Sequence, residues 1–195
     1  MTKAIIMEKV VFLDRDGVIC EERIHLHRRE DFKLIDKTID AIKLLNKNNY
    51  RIIIISNQSA IAKGICTQND VENLNNYMRE LLNEKGAKLD KIYFCPHHPK
   101  GNNPIYTKEC ECRKPKPGMI LQAQKDFNIK DLSGCYIIGD KMSDIYAGKS
   151  AGCKTILVKT GYGGKGNENL IDIEPSFHAS DLYDAVANII LKNKV

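Results

Sequence analysis

The apolar run Val10-Val11-Phe12-Leu13, followed at once by Asp14-Arg15-Asp16-Gly17, constrains this chain more than any other stretch. Four consecutive apolar residues need cover on both faces, which marks a buried strand of a parallel sheet. Open sheets of that kind place ligands beyond the carboxyl ends of their strands. Asp14 stands at such an end, and Asp16 falls on the same side if the backbone stays extended. Gly17 then allows a turn close to whatever is bound. Two carboxylates at this spacing repel, so a cation or a shared proton must hold them. Taken alone, the tetrad is more readily a solvated turn; its weight comes from the rest of the chain.

A second apolar run, residues 51–55, leads into Ser56-Asn57-Gln58-Ser59. A short third run, 91–94, leads into Cys95-Pro96-His97-His98-Pro99. A fourth, 135–139, ends in Asp140, and a fifth covers 154–158. Helical patterns lie between them. Residues 38–49 carry Ile39, Ile42, Leu44 and Leu45, and Thr67 with Asp70 makes an imperfect capping box before Val71, Leu74, Met78, Leu81 and Leu82. Gly86 stops that helix. Shorter helices are expected at 119–127 and 143–151, and a last one capped by Ser180. Strands alternating with helices predict an α/β fold: a parallel sheet, helices on both faces and right-handed crossovers. A chain of 195 residues suits one domain, 1–195, with a small insertion after the third strand. Residues 19–32 read as a polar loop over the site, and the Gly-rich stretch 160–169 as a flexible connection.

Charge and composition narrow the partners. The net charge of +5 is scattered, with no basic block, and aromatics make up 7%, so a nucleic-acid surface is not indicated. No apolar run approaches the roughly 20 residues of a membrane span. The first eight residues are too short and too charged for a signal peptide. A cytoplasmic monomer acting on a small molecule is the expectation. Seven cysteines in such a chain favour metal ligation or free thiols over disulfides.

The strand ends deliver Asp14 and Asp16, then Ser56 and Asn57, then Asp140 and Asp144, with Arg113, Lys114 and Lys116 between the last two sets. Carboxylates suit a hard cation such as Mg²⁺, which often shares its oxygen ligands with a phosphate. Fixed cations and a hydroxyl can neutralise the oxygens of a transferring phosphoryl group. One carboxylate can attack phosphorus, and a second can protonate the leaving alcohol. Plainer readings exist for the neighbours. Asp144 serves equally as a helix N-terminal charge, Lys116 as a surface lysine and His98 as a bystander. His25 and His27 read as loop residues near the substrate, and Cys20, Cys66, Cys135 and Cys153 as ordinary small residues. The loop 161–166 lacks the spacing of a phosphate-binding P-loop.

Asp14-x-Asp16-Gly17, Ser56, Lys114 and Gly139-Asp140-x-x-x-Asp144 resemble the four motifs of the haloacid-dehalogenase (HAD) superfamily of phosphatases. Within it, Asp14-Arg15-Asp16-Gly17, Ser56-Asn57-Gln58-Ser59, Cys95-Pro96-His97-His98-Pro99, Cys110-x-Cys112-Arg113-Lys114-Pro115 and Gly139-Asp140-Lys141 resemble the D-glycero-D-manno-heptose-1,7-bisphosphate 7-phosphatases. Histidinol-phosphate phosphatases share several of these pieces and stay open as an alternative, as does, in another class, a zinc-clipped nucleic-acid-binding module. The resemblance implies a Rossmann-like HAD fold with a minimal cap and a role in surface-glycan or lipopolysaccharide biosynthesis. It implies Asp14 as nucleophile, Asp16 as general acid/base, and Ser56 and Lys114 on the phosphoryl oxygens. Mg²⁺ would sit on Asp14, the Asp16 carbonyl and Asp140. Substrate binding would fall to Glu22, Arg23, Ile24 and His25, to Asn57, Gln58 and Ser59 beside Ser56, and to Arg113, Lys114 and Lys141. The family usually has Gly-Tyr before an aliphatic-His pair, where this chain has Ile24-His25 before Leu26-His27.

Cys95, His97, Cys110 and Cys112 form a separate group. Three thiolates and an imidazole suit one tetrahedral Zn²⁺, and four protein ligands make it structural. The intervening residues include Lys100, Gly101, Asn102, Asn103, Pro104 and Lys108 and cannot bury a core of their own, so a clip over about 95–112 must order them.

Overall fold

In the computed structural model, residues 9–165 and 173–192 are described. Six strands, all paired in parallel, form one sheet in the order β3-β2-β1-β4-β5-β6. They are β1 (Val10–Leu13), β2 (Arg51–Asn57), β3 (Lys91–Cys95), β4 (Tyr136–Gly139), β5 (Lys154–Val158) and β6 (Phe177–Ala179). Strand order runs one way from β1 to β3 and the other way from β4 to β6. The reversal between β1 and β4 opens a crevice at the carboxyl edge, the usual ligand position in such sheets. Register aligns the strand ends. Leu13 lies opposite both Ile54 and Ile138, so Asp14 is level with Ile55 and Gly139 and one step short of Ser56 and Asp140.

The central strands are apolar throughout because both faces are covered. Val11 and Leu13 join a core with α1 (Thr38–Lys47), with Met78 and Leu82 of α3 (Gln68–Glu84) and with the C-terminal helix. Val10 and Phe12 join the opposite core with α4 (Gly118–Asp126) and α5 (Met142–Ala151). Helices therefore lie on both faces, as the alternation predicted. The Thr67 capping box is complete: Thr67 Oγ1 accepts the Asp70 N–H, and Asp70 Oδ2 accepts the Thr67 N–H. No helix among the described residues is long and apolar enough to cross a membrane.

Three elements depart from the sequence expectation. A one-turn helix, α2 (Ser59–Ala62), follows β2 directly. The sixth strand is three residues long at the sheet edge, too short for a periodic signal. The last helix, α6 (Leu182–Asp184), continues into a π-helical turn, Ala185–Ile190, and its cap is Asp181 rather than Ser180. Asp181 Oδ1 accepts the Asp184 N–H at 2.8 Å, while Ser180 donates its own N–H to Asp184. The expected stretch 160–169 is described only to residue 165; residues 166–169, like residues 1–8, lie outside the described residues.

Candidate active site

Asp14 is buried at the end of β1, its N–H still bonded to the Ile138 carbonyl at 3.0 Å. Beside it lies the equally buried Lys114. The ammonium is 3.0 Å from Asp14 Oδ1 and 2.6 Å from Asp144 Oδ1, and it donates to the Ile55 carbonyl at 2.8 Å. Its three protons are thereby engaged. Burial opposes the Lys114 charge, but Asp14 and Asp144 outweigh it and hold the group above its ordinary value. Asp144 stands at the start of α5, where its Oδ2 accepts the Lys141 N–H, and it also pairs with Lys114.

Carboxylate charge exceeds cationic charge here. Burial pushes Asp14 up to about 6 against the pull of Lys114. Burial, then Asp14 and Asp144, push Asp140 up to about 8. Carboxylate oxygens of Asp14, Asp140 and Asp144 lie within 4.8 Å of one another. Asp140 Oδ1 is buried and has no hydrogen-bond partner among the described residues. An unpartnered buried oxygen among three carboxylates fits a hard divalent cation such as Mg²⁺, and the residues able to hold it are Asp14 and Asp140.

Asp16 is bonded to Arg15 and Gln58 rather than to Asp14. Its two oxygens accept Nε and Nη2 of Arg15 at 3.0 Å each, and Oδ2 also accepts Gln58 Nε2 at 2.9 Å. Arg15 is fully buried and spends two more of its donors on Asn75 Oδ1 of α3 and the Leu26 carbonyl. The repulsion anticipated between the two aspartates is thus relieved by two cations, Lys114 for one and Arg15 for the other. Arg15 also fastens the 19–32 loop over the site.

Ser56 is buried at the end of β2 and its Oγ accepts Gln58 Nε2 at 2.8 Å. Asn57 has a positioning task that its expected place in substrate binding did not include. Its Nδ2 donates to the Lys114 carbonyl at 2.9 Å and its Oδ1 accepts the Lys114 N–H at 3.1 Å. Both amide groups are committed to the segment that carries Lys114.

Above these groups is a cavity of about 460 Å³. Asp14, Asp16, Ser56, Lys114, Arg113 and Lys141 line it, as do Asn57, Gln58 and Ser59. Asp140 lies beneath. Glu22, Arg23, Ile24 and His25 form part of its rim; Ile24 is 83% exposed and Arg23 pairs outward with Glu21 at 3.7 Å. Lys141 is held between Glu22 Oε2 at 3.2 Å and the ring of Tyr162 at 4.1 Å. Lys116 pairs with Glu111 on the surface and stays out of the cavity.

The described part of the Gly-rich stretch, residues 160–165, is a strap rather than a loose connection. Thr160 Oγ1 donates to the Gly17 carbonyl at 2.6 Å, Tyr162 N–H donates to Asp140 Oδ2 at 2.8 Å, and Gly164 N–H donates to the Asp140 carbonyl at 2.7 Å. Gly17 and Gly161 both have positive φ, and a Cβ on either would strike Asp140 Oδ2. Side chains there would push the loops off the carboxylate.

Cys95, His97, Cys110 and Cys112 converge below the cavity wall. Cys112 Sγ is 3.2 Å from the sulfurs of Cys95 and Cys110 and 3.4 Å from His97 Nδ1; Cys95 and Cys110 are 3.5 Å apart. A tetrahedral ion with bonds of about 2.3 Å to sulfur needs ligand atoms about 3.8 Å apart, so the group is near the size of a zinc site. Hydrogen bonds from Cys95, and also from Cys110 and His97, pull the Cys112 thiol down to about 5. The same cluster holds the other two thiols above their ordinary value, Cys95 through its hydrogen bond with Cys112 and Cys110 through burial, so one sulfur of the three is favoured as the thiolate that binds metal.

A parallel sheet with a strand-order reversal, an Asp-x-Asp pair after β1, a serine after β2, a buried lysine and a strand-end aspartate define a HAD-type hydrolase. A family model described as HAD-hydrolase-like matches residues 111–185. A Chlorobaculum tepidum protein named D-glycero-D-manno-heptose-1,7-bisphosphate 7-phosphatase is 42% identical over 188 residues, covering 94% of each chain. A Photorhabdus laumondii protein named D-glycero-alpha-D-manno-heptose-1,7-bisphosphate 7-phosphatase is 46% identical over 155 residues, 79% of this chain and 84% of its own. The crystal structure of the D,D-heptose 1,7-bisphosphate phosphatase from B. bronchiseptica, complexed with magnesium and phosphate, superposes with a TM-score of 0.83 at 28% identity. It covers 94% of this chain and 99% of its own. The chain belongs to the heptose-1,7-bisphosphate 7-phosphatase family of the HAD superfamily.

Proposed function

We propose that this protein is a magnesium-dependent phosphatase that removes the 7-phosphate of D-glycero-D-manno-heptose 1,7-bisphosphate. The observation that carries the reading is the buried Asp14–Lys114–Asp144 centre at the strand-order reversal, next to an unpartnered oxygen of Asp140. Asp14 attacks phosphorus through a carboxylate oxygen, and the bond from phosphorus to the sugar oxygen breaks. Asp16, held by Arg15 through both oxygens at the cavity floor, must first leave that pair and take up a proton, which it then gives to the sugar oxygen. Water then attacks the phosphorus of the aspartyl-phosphate and loses a proton to Asp16, which frees Asp14 and inorganic phosphate. Ser56, and the Lys114 N–H that Asp14 gives up on bonding phosphorus, hold the phosphoryl oxygens, and Asn57 keeps Lys114 in place. Asp14, Asp140 and the Asp16 carbonyl would hold Mg²⁺, which would supply charge neutralisation for the phosphoryl group. Cys95, His97, Cys110 and Cys112 would hold one Zn²⁺, which would order the insertion. The reading places the enzyme in the cytoplasm, supplying heptose for a surface glycan.

The substrate assignment is tested by comparing kcat/KM for the heptose bisphosphate and for histidinol phosphate. The bisphosphate is expected to be preferred by at least about tenfold, the factor a single charge-assisted contact supplies. A preference of that size for histidinol phosphate overturns the heptose assignment and leaves only the phosphatase.

The carboxylate cluster also predicts a pH signature for protein dialysed free of Mg²⁺. Asp14 and Asp140 are raised in the fold from 3.8 to about 6 and about 8. A group raised in the fold contributes stability at low pH and loses it as pH climbs through the folded value. Metal-free protein should therefore melt at a lower temperature at about pH 8.5 than at about pH 6, and added Mg²⁺ should raise Tm more at the higher pH. A metal-free Tm that is flat across this range contradicts the clustering of charge described above.

A further inference from the structure

Lys141 directly follows Asp140 and lines the cavity together with Asp14. Burial opposes the charge of Lys141, but Asp14, Asp140 and Glu22 outweigh it and hold the group above its ordinary value. Two of those three carboxylates are the ones able to hold Mg²⁺. A lysine ammonium is a compact charge on a flexible four-carbon stem. Drawn toward Asp14 and Asp140, it would compete with the metal for their oxygens.

Two groups hold the ammonium elsewhere: Glu22 Oε2 at 3.2 Å and the Tyr162 ring at 4.1 Å from its centre. Glu22 belongs to the 19–32 loop and Tyr162 to the strap. The ring has a fixed base. Its own backbone N–H donates to Asp140 Oδ2 at 2.8 Å, its carbonyl accepts the Lys165 N–H at 3.0 Å, and the Gly163 N–H closes the turn onto the Thr160 carbonyl at 3.2 Å. Glu22 and Tyr162 also line a second cavity of about 460 Å³, so these side chains form the wall between two open spaces. Packing by a deep apolar layer is absent from such a wall, and the lysine head is left to the carboxylate and the ring. An aromatic face attracts a cation without bearing a net charge. It therefore fixes the ammonium while adding nothing to the negative charge around Asp140.

We propose that Tyr162 is a positioning residue for Lys141: its ring holds the ammonium over the cavity and off the carboxylates of Asp14 and Asp140, which keeps their oxygens free for Mg²⁺. The proposal rests on the reading of Asp14 and Asp140 as the Mg²⁺ ligands of a phosphatase. It gives the strap a task beyond its bonds to Asp140, because the residue that donates to that carboxylate also restrains the cation nearest to it in sequence.

The test is calorimetric titration of Mg²⁺ into the full chain dialysed free of it. The proteins are wild type, Tyr162→Phe, Tyr162→Leu, Lys141→Met and the double variant Tyr162→Leu with Lys141→Met. Tyr162 is 37% exposed and outside the core, so its variants should fold. Tyr162→Leu should weaken Mg²⁺ binding about fivefold, the scale of one partly exposed cation–π contact. Tyr162→Phe keeps the ring and should keep the affinity of wild type. In the Lys141→Met background, Tyr162→Leu should change the Mg²⁺ affinity by less than about twofold, because the cation it restrains is gone. Equal weakening with and without Lys141 overturns the proposal, since a merely structural tyrosine would behave that way. Tyr162→Phe as weak as Tyr162→Leu overturns it too, as does a Tyr162→Leu protein that binds Mg²⁺ as tightly as wild type or more so. A wild-type protein that binds no Mg²⁺ is a different result: it overturns the metal site itself, and with it both the phosphatase reading and this proposal.

Discussion

Asp14→Asn should fold normally and lose turnover by several powers of ten. The folding half follows from electrostatics. Burial already drives the Asp14 pKa up to about 6 in the metal-free fold, so the fold bears a cost for its charge. An asparagine of the same shape removes that cost. Its Oδ1 can still accept the Arg15 N–H, which Asp14 Oδ1 accepts at 2.8 Å. Lys114 keeps Asp144 at 2.6 Å and the Ile55 carbonyl at 2.8 Å, so the substitution strands no buried cation. Thermal stability should therefore match or exceed that of wild type. Turnover fails because an amide oxygen cannot form the aspartyl-phosphate. Removing a nucleophile should exceed the roughly 10²–10⁴ attributed to one acid/base group. Asp16→Asn sets that smaller scale within the same protein. Rapid-quench measurement with labelled substrate should find phosphate attached to wild-type protein and none attached to Asp14→Asn. A folded Asp14→Asn enzyme with near-normal kcat removes Asp14 as nucleophile.

The parts of this site that could be read in the sequence are those that a parallel sheet puts at strand ends. Val10–Leu13 and the β2 and β4 runs are continuous apolar stretches because both faces are buried, so their last residues were locatable. Register then makes Asp14, Ser56 and Asp140 neighbours with no further information. The choice of partner was not legible. Arg15 looks like a loop cation between two aspartates, yet it is fully buried and ties Asp16 to Asn75, 60 residues away. Asn57 reads as a substrate contact, but its amide matches the backbone of Lys114 across 57 residues. Glu22 and Lys141 meet across 119. Such pairings depend on loop packing, which leaves no local periodicity.

The Gly-rich stretch failed for a related reason. Glycine and polar residues signal a loop, and they do so whether that loop is free or strapped. Only the approach of Gly17 and Gly161 to Asp140 Oδ2 shows why the glycines are needed.

The second large effect is expected from Cys110→Ser and Cys112→Ser. Protein purified without added metal should carry about one zinc per chain, and each serine variant should lose it, because three protein ligands hold zinc far less tightly than four. Loss of a structural metal of about 3 kcal/mol corresponds to a Tm drop of roughly 6–12 °C in a chain of this size. Effects on activity should divide unevenly. Lys114 is anchored independently of the metal through both groups of Asn57 and through the Ile55 carbonyl. Arg113 is anchored through the His97 carbonyl, so it depends on the clip. The serine variants should thus raise KM for the bisphosphate more than they lower kcat, whereas Asp14→Asn abolishes kcat. A uniform collapse of kcat would mean that the clip also sets Lys114. A zinc-free wild-type preparation with unchanged Tm and full activity would refute a structural metal. The thiols would then be a reduced cluster held by the hydrogen bonds seen among them.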